Sequence, residues 1–90
     1  MSDRTERQYS VNPDIVATDL DDELVLLDPS DQKIFSLNAT GRVVWQALPA
    51  MTSALMALLI KRFDVSEDQA MTDVHQLLQT LLTAGLIWEN

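Results

Sequence analysis

The side chains with the most chemistry to offer are one histidine, fourteen acids and two glycines; there is no cysteine. Lacking cysteine, the chain has no disulfides, thiolate zinc sites or iron–sulfur clusters. A single histidine cannot build a histidine-rich metal site, and His75, beside Gln76 and Gln79, sits one step off an apolar stripe and reads as solvent-facing. Catalytic carboxylate pairs must face each other across a substrate. The seven acids between residues 14 and 31 instead fall at turns and strand ends, where they favour solubility and guard sheet edges. Asp19-Leu20-Asp21-Asp22-Glu23 lacks the alternating oxygen ligands and the glycine of a calcium loop. Gly41 and Gly85 are the only glycines, so no loop can cradle a phosphate. The expectation is a protein that is not an enzyme and needs no metal or cofactor.

Two further classes fall on charge and hydropathy. Fourteen acids against six bases give a formal charge of −8, which repels a phosphate backbone. The longest apolar run, residues 54–60, is far short of the ~20 residues of a membrane span. Residues 1–10 are polar and lack the apolar stretch of a signal peptide, so a cytoplasmic location is expected.

The elements that must position any site can be read from periodicity. Residues 1–10 read as a flexible lead-in, and residues 11–90 as one domain. Short strands are predicted over residues 15–18, 23–28 and Lys33–Leu37, with Asp28-Pro29-Ser30-Asp31 as a type I turn. Such short connections favour an antiparallel meander. From Asn38 the period becomes helical. Asn38 or Thr40 can cap a first helix carrying Val43, Val44, Ala47 and Leu48, which Pro49 stops. Thr52 is a plausible cap for a second helix, over residues 53–63, which is apolar nearly all round and leaves a homodimer open. Ser66-Glu67-Asp68-Gln69 is a capping box, and Ala70, Met71, Val74, Leu77, Leu78, Leu81 and Leu82 follow at helical spacing to Gly85, a natural left-handed cap. Residues 86–88 form an extended tail, with Trp45 and Trp88 as core or interface anchors. The predicted class is α+β, a three-stranded antiparallel sheet followed by three helices that cover one of its faces.

That order is compatible with a winged helix-turn-helix, but the third helix carries no Arg or Lys with which to read DNA. Peptide binding fits better. A three-stranded sheet ends in an edge whose amides and carbonyls lack partners, and an extended peptide can add itself there as another strand. On the third strand, Lys33, Phe35 and Leu37 project to one side, with Ile34 and Ser36 on the other. Phe35 and Leu37 are the better candidates for the core.

Three quoted segments carry a resemblance: Asp22-Glu23-Leu24-Val25-Leu26-Leu27-Asp28, then Ile34-Phe35-Ser36-Leu37-Asn38-Ala39-Thr40-Gly41 with Val44-Trp45, and finally Leu81-Leu82-Thr83-Ala84-Gly85-Leu86-Ile87. Together they resemble the PqqD-like family, the RiPP recognition elements, which are peptide chaperones for ribosomally made, post-translationally modified peptides. Asp22 departs from the family by standing where many relatives have glycine, as does Asp31-Gln32 in the second turn. The resemblance implies a winged helix-turn-helix and non-catalytic binding of a precursor's leader peptide between the third strand and the third helix. The leader would then be delivered to a maturation enzyme such as a radical SAM protein or a leader peptidase. The implied peptide-binding residues are Lys33, Ile34, Phe35, Ser36 and Leu37 on the strand, with Asp73, Gln76, Leu77, Thr80 and Leu81 on the helix. An acid such as Asp73 beside the groove would favour a basic guest residue. The competing reading is a winged-helix transcription factor or a regulatory protein–protein adaptor.

Overall fold

A computed structural model describes residues 7–89. Strands β1 (Gln8–Val11), β2 (Val16–Asp19), β3 (Leu24–Asp28) and β4 (Lys33–Leu37) come first. Then follow α1 (Ala39–Ala47), β5 (Ala50–Met51), α2 (Thr52–Phe63), α3 (Glu67–Thr83) and β6 (Ile87–Glu89). β2, β3 and β4 form an antiparallel sheet in that order, which leaves β4 at an edge. This sheet followed by three helices is the α+β arrangement expected from the periodicity.

The sequence reading misses a second sheet. Gln8–Val11 does not belong to a flexible lead-in; it is the central strand of a small antiparallel sheet, flanked by β5 and β6. Its partners lie some forty and eighty residues away, so nothing in its local composition announces the pairing. Residues 1–6 of the expected lead-in lie outside the described residues.

Register decides which side of the main sheet is buried. Leu24 pairs with Leu37 and Leu26 with Phe35, so these four share the face that meets the helices. Leu24, Leu26 and Leu37 are buried there among Val44, Trp45, Leu55 and Leu59. α3 contributes Ala70, Val74, Leu78 and Leu81, a stripe at steps of four, four and three. Each large aliphatic side chain so buried stabilises the fold by about 1.5–3 kcal/mol. Trp45 is part of this core, but Trp88 on β6 remains 50% exposed.

The helix ends follow the sequence with two differences. Asn38 caps α1 by accepting from the Gly41 amide at 3.0 Å. Gly41 is also where the first turn of α1 meets the end of β4: a Cβ there would lie 3.0 Å from Leu37 Cβ. Thr52 is the first residue of α2 rather than its cap, a position taken by Met51 without a side-chain bond. At α3, Ser66 Oγ accepts from the Gln69 amide at 3.1 Å. The Gln69 side chain does not reach back to complete the box; it donates to Asp73 Oδ1 at 2.8 Å. The far end closes with the Gly85 amide on the Leu82 carbonyl and the Leu86 amide on the Leu81 carbonyl, while Gly85 adopts φ 77°.

β2 is held to α1 by a polar clip. Arg42 donates through Nε and Nη2 to the two Asp19 carboxylate oxygens at 2.7 and 2.9 Å, and Gln46 adds a bond of 2.9 Å. In the two hairpin turns the left-handed residues are Asp21 (φ 76°) and Gln32 (φ 60°), so the first falls one position before Asp22.

Candidate peptide-binding groove

β4 has β3 on one side and, among the described residues, no strand on the other. Along such an edge, alternate residues turn both amide and carbonyl outward, a row of ready partners for an extended chain. Two open clefts lie between this strand and α3. The first, about 460 Å³, is lined by Ser36, Leu37, Asn38, Thr40, Gly41, Asp73, Gln76, Leu77 and Thr80. The second, about 660 Å³, is lined by Asp31, Lys33, Phe35, Gln79, Thr80, Thr83 and Ala84. Thr80 lines both, so the clefts adjoin, and together they flank β4 and α3 as one groove with Thr80 at its middle. Volumes in this range suit small guests or the side chains of a longer one.

Local hydrogen bonds fix the polar lining. Asp73 Oδ1 accepts from Gln69 Nε2, which holds this half-buried carboxylate against the helix. The Thr80 hydroxyl donates to the Gln76 carbonyl one turn back, at 2.9 Å. On the opposite face of the sheet the Ser36 hydroxyl donates to Glu23 Oε2 at 2.9 Å. The hydroxyl–carboxylate pair of Ser36 and Glu23 lies on the sheet face turned away from the groove, and no cluster of three or more metal-ligating side chains exists among the described residues.

A family model described as coenzyme PQQ synthesis protein D (PqqD) matches residues 23–87, about seven-tenths of the chain. The chain belongs to the PqqD family. A comparison with curated proteins gives no match. Two solved structures share the PqqD-family fold of this chain. One is TbiB1 in complex with the TbiA(beta) leader peptide, 22% identical, with a TM-score of 0.80 over 87% of this chain and 93% of that one. The other is lasso peptide synthetase B1 complexed with the leader peptide, 23% identical, with a TM-score of 0.79 over 89% and 96%.

Of the residues expected to bind peptide, Lys33, Phe35, Ser36 and Leu37 on β4 line the groove together with Asp73, Gln76, Leu77 and Thr80 on α3. Ile34 is 69% exposed on the sheet face turned away from the helices, so only its backbone is available to the edge. Leu81 does not belong to the groove. It is 1% exposed and sits on the core stripe of α3, which the helical period separates from the lining strip. The sequence reading also misses Asp31, Asn38, Thr40, Gly41, Gln79, Thr83 and Ala84. Continuing the strip 73, 76–77, 80 by one further helical turn points to 83–84, the signal that could have found the last two.

Among the described residues no helix is long and apolar enough to cross a membrane.

Proposed function

We propose that this PqqD-family chain is a non-catalytic module that binds the leader segment of a ribosomally made precursor peptide. The leader adds to β4 as a fourth strand, with its side chains in the groove against α3, and is carried in this form to a maturation enzyme in the cytoplasm. That enzyme is a radical SAM protein, a leader peptidase or another modifying enzyme. The observation that carries the reading is the open edge of β4 directly beside the groove lined by Asp73, Gln76, Leu77 and Thr80. Both solved proteins of the same fold hold leader peptides, which supports it.

Backbone pairing supplies affinity without any catalytic residue. Each inter-strand bond contributes about 0.5–1.5 kcal/mol net, and one or two anchored apolar side chains add about 1.5–3 kcal/mol each. After ordering costs this reaches micromolar binding. DNA reading is disfavoured, because α3 has no Arg or Lys among its seventeen residues.

The test is a heteronuclear NMR titration with leader peptides from precursor genes adjoining that of this chain. Amide shifts are expected along Lys33–Leu37 and along the lining residues of α3. Duplex DNA at low salt is expected to give no coherent shifts, and mass spectrometry no covalent peptide product. Leader peptides that leave β4 unmoved, or any turnover, would overturn the proposal.

A further inference from the structure

The two clefts differ in chemistry, and their separation sets a spacing. In the first, Asp73 is the only charged lining residue; its neighbours Thr40, Gln76 and Thr80 offer hydrogen-bonding groups. Gln69 engages one carboxylate oxygen, Oδ1, and α3 carries no Lys or Arg to neutralise the charge. A guest ammonium or guanidinium would gain a charge-assisted bond there, and a guest carboxylate would meet a like charge. The second cleft holds Phe35 and Ala84, with Asp31 and Lys33 balancing each other in sign, so it favours neither charge and offers apolar contact.

Asp73 lies eight to nine residues along α3 from the middle of the second cleft's lining, residues 79–84, which is about 13 Å. On an extended guest, side chains that share a face are about 6.8 Å apart at two residues and about 13.5 Å at four. The spacing therefore matches four. We propose, resting on the leader-binding reading above, that the groove selects peptides with a basic residue and an apolar residue four positions apart. The basic side chain sits in the Asp73 cleft and the apolar one against Phe35.

Synthetic peptides with common flanks test this by competition anisotropy against the full chain, each checked for amide shifts along Lys33–Leu37. Lys-x-x-x-Leu, in one or the other chain direction, is expected to bind about tenfold tighter than Lys-x-Leu or Glu-x-x-x-Leu. Asp73→Lys should reverse the preference between Lys and Glu. Asp14→Asn, remote from the groove, should leave it intact. If the peptides shift the β4 amides but Lys and Glu bind alike, the selection rule fails and leader binding stands. It fails equally if Asp73→Lys changes nothing or if Asp14→Asn erases the preference, because diffuse charge is then the cause. If no peptide moves those amides, the leader-binding reading fails with it.

Discussion

Strand addition makes a demand on β4 that side-chain docking does not: its residues must fall into two classes that alternate. In an antiparallel pair, residues alternate between exchanging both backbone bonds with the partner and directing them away. The register sets Lys33, Phe35 and Leu37 in one class and Ile34 and Ser36 in the other. Proline removes one amide donor and is tolerated only where that donor faces outward. Along one class, then, proline breaks the ladder to β3 and costs roughly 3 kcal/mol of stability. Along the other the fold survives, and the guest loses one bond of about 0.5–1.5 kcal/mol and meets the ring, a loss of roughly tenfold in affinity. Ile34 and Ser36 are suited to the comparison because both are exposed, so little packing is lost with either side chain. The assay pairs urea denaturation with leader titration for Lys33→Pro, Ile34→Pro, Phe35→Pro and Ser36→Pro. Ile34→Pro and Ser36→Pro must behave alike and opposite to Lys33→Pro. The reasoning is refuted if these two part company, or if every folded variant binds the leader as tightly as the parent.

Three further outcomes follow from the fold. Bonding to Arg42, with help from the Asp21 amide, lowers the Asp19 pKa from 3.8 to about 2. A depressed carboxylate stabilises above its unfolded pKa and loses that effect as pH falls through the folded one. The difference in urea midpoint between the parent and Asp19→Asn should therefore be full at neutral pH and shrink from pH 4 to pH 2; a gap independent of pH argues against the clip. Gln32→Gly relieves a left-handed residue at φ 60° and should stabilise by about 0.5–1 kcal/mol in chemical denaturation, after glycine's own entropy is set against the relief. Ser66→Ala removes the Gln69 amide's partner and should cost about 1 kcal/mol, whereas an unchanged midpoint would mean that water replaces the cap.

How much was legible in the sequence depended on how local the determining contacts are. The meander was readable because alternation and turn chemistry act within a few residues, and α3 because its cap, apolar stripe and terminal glycine all agree. The β1 strand was not, since Tyr9 and Ser10 acquire partners only when residues 50 and 88–89, distant in sequence, come beside them. The groove follows the same logic. Asp73, Gln76, Leu77 and Thr80 form a strip that can be drawn on a helical wheel. Leu81 falls outside that strip because the buried stripe steps from 78 to 81, and a single position on a helix turns a side chain by about 100°. Asn38, Thr40 and Gly41 were read as a helix start, which they are. That the same turn walls the groove depends on the approach of Gly41 to Leu37, a tertiary contact.

The open edge persists because the chain's own tail is committed elsewhere. β6 could in principle pair with any exposed edge, but it pairs with β1. The Arg7–Glu89 ion pair at 2.8 Å holds it there, as do the bonds from the Asn12 amide and side chain to the Leu86 and Gly85 carbonyls. A free strand edge invites other copies of the same chain to pair. Here the acids at both ends of the main sheet, Asp19 to Glu23 on one side and Asp28 and Asp31 on the other, set like charges against each other in any such pairing. A cationic guest meets no such opposition. The charge that repels a phosphate backbone thus also discourages self-association at the free edge, and weakening it should weaken both discriminations together.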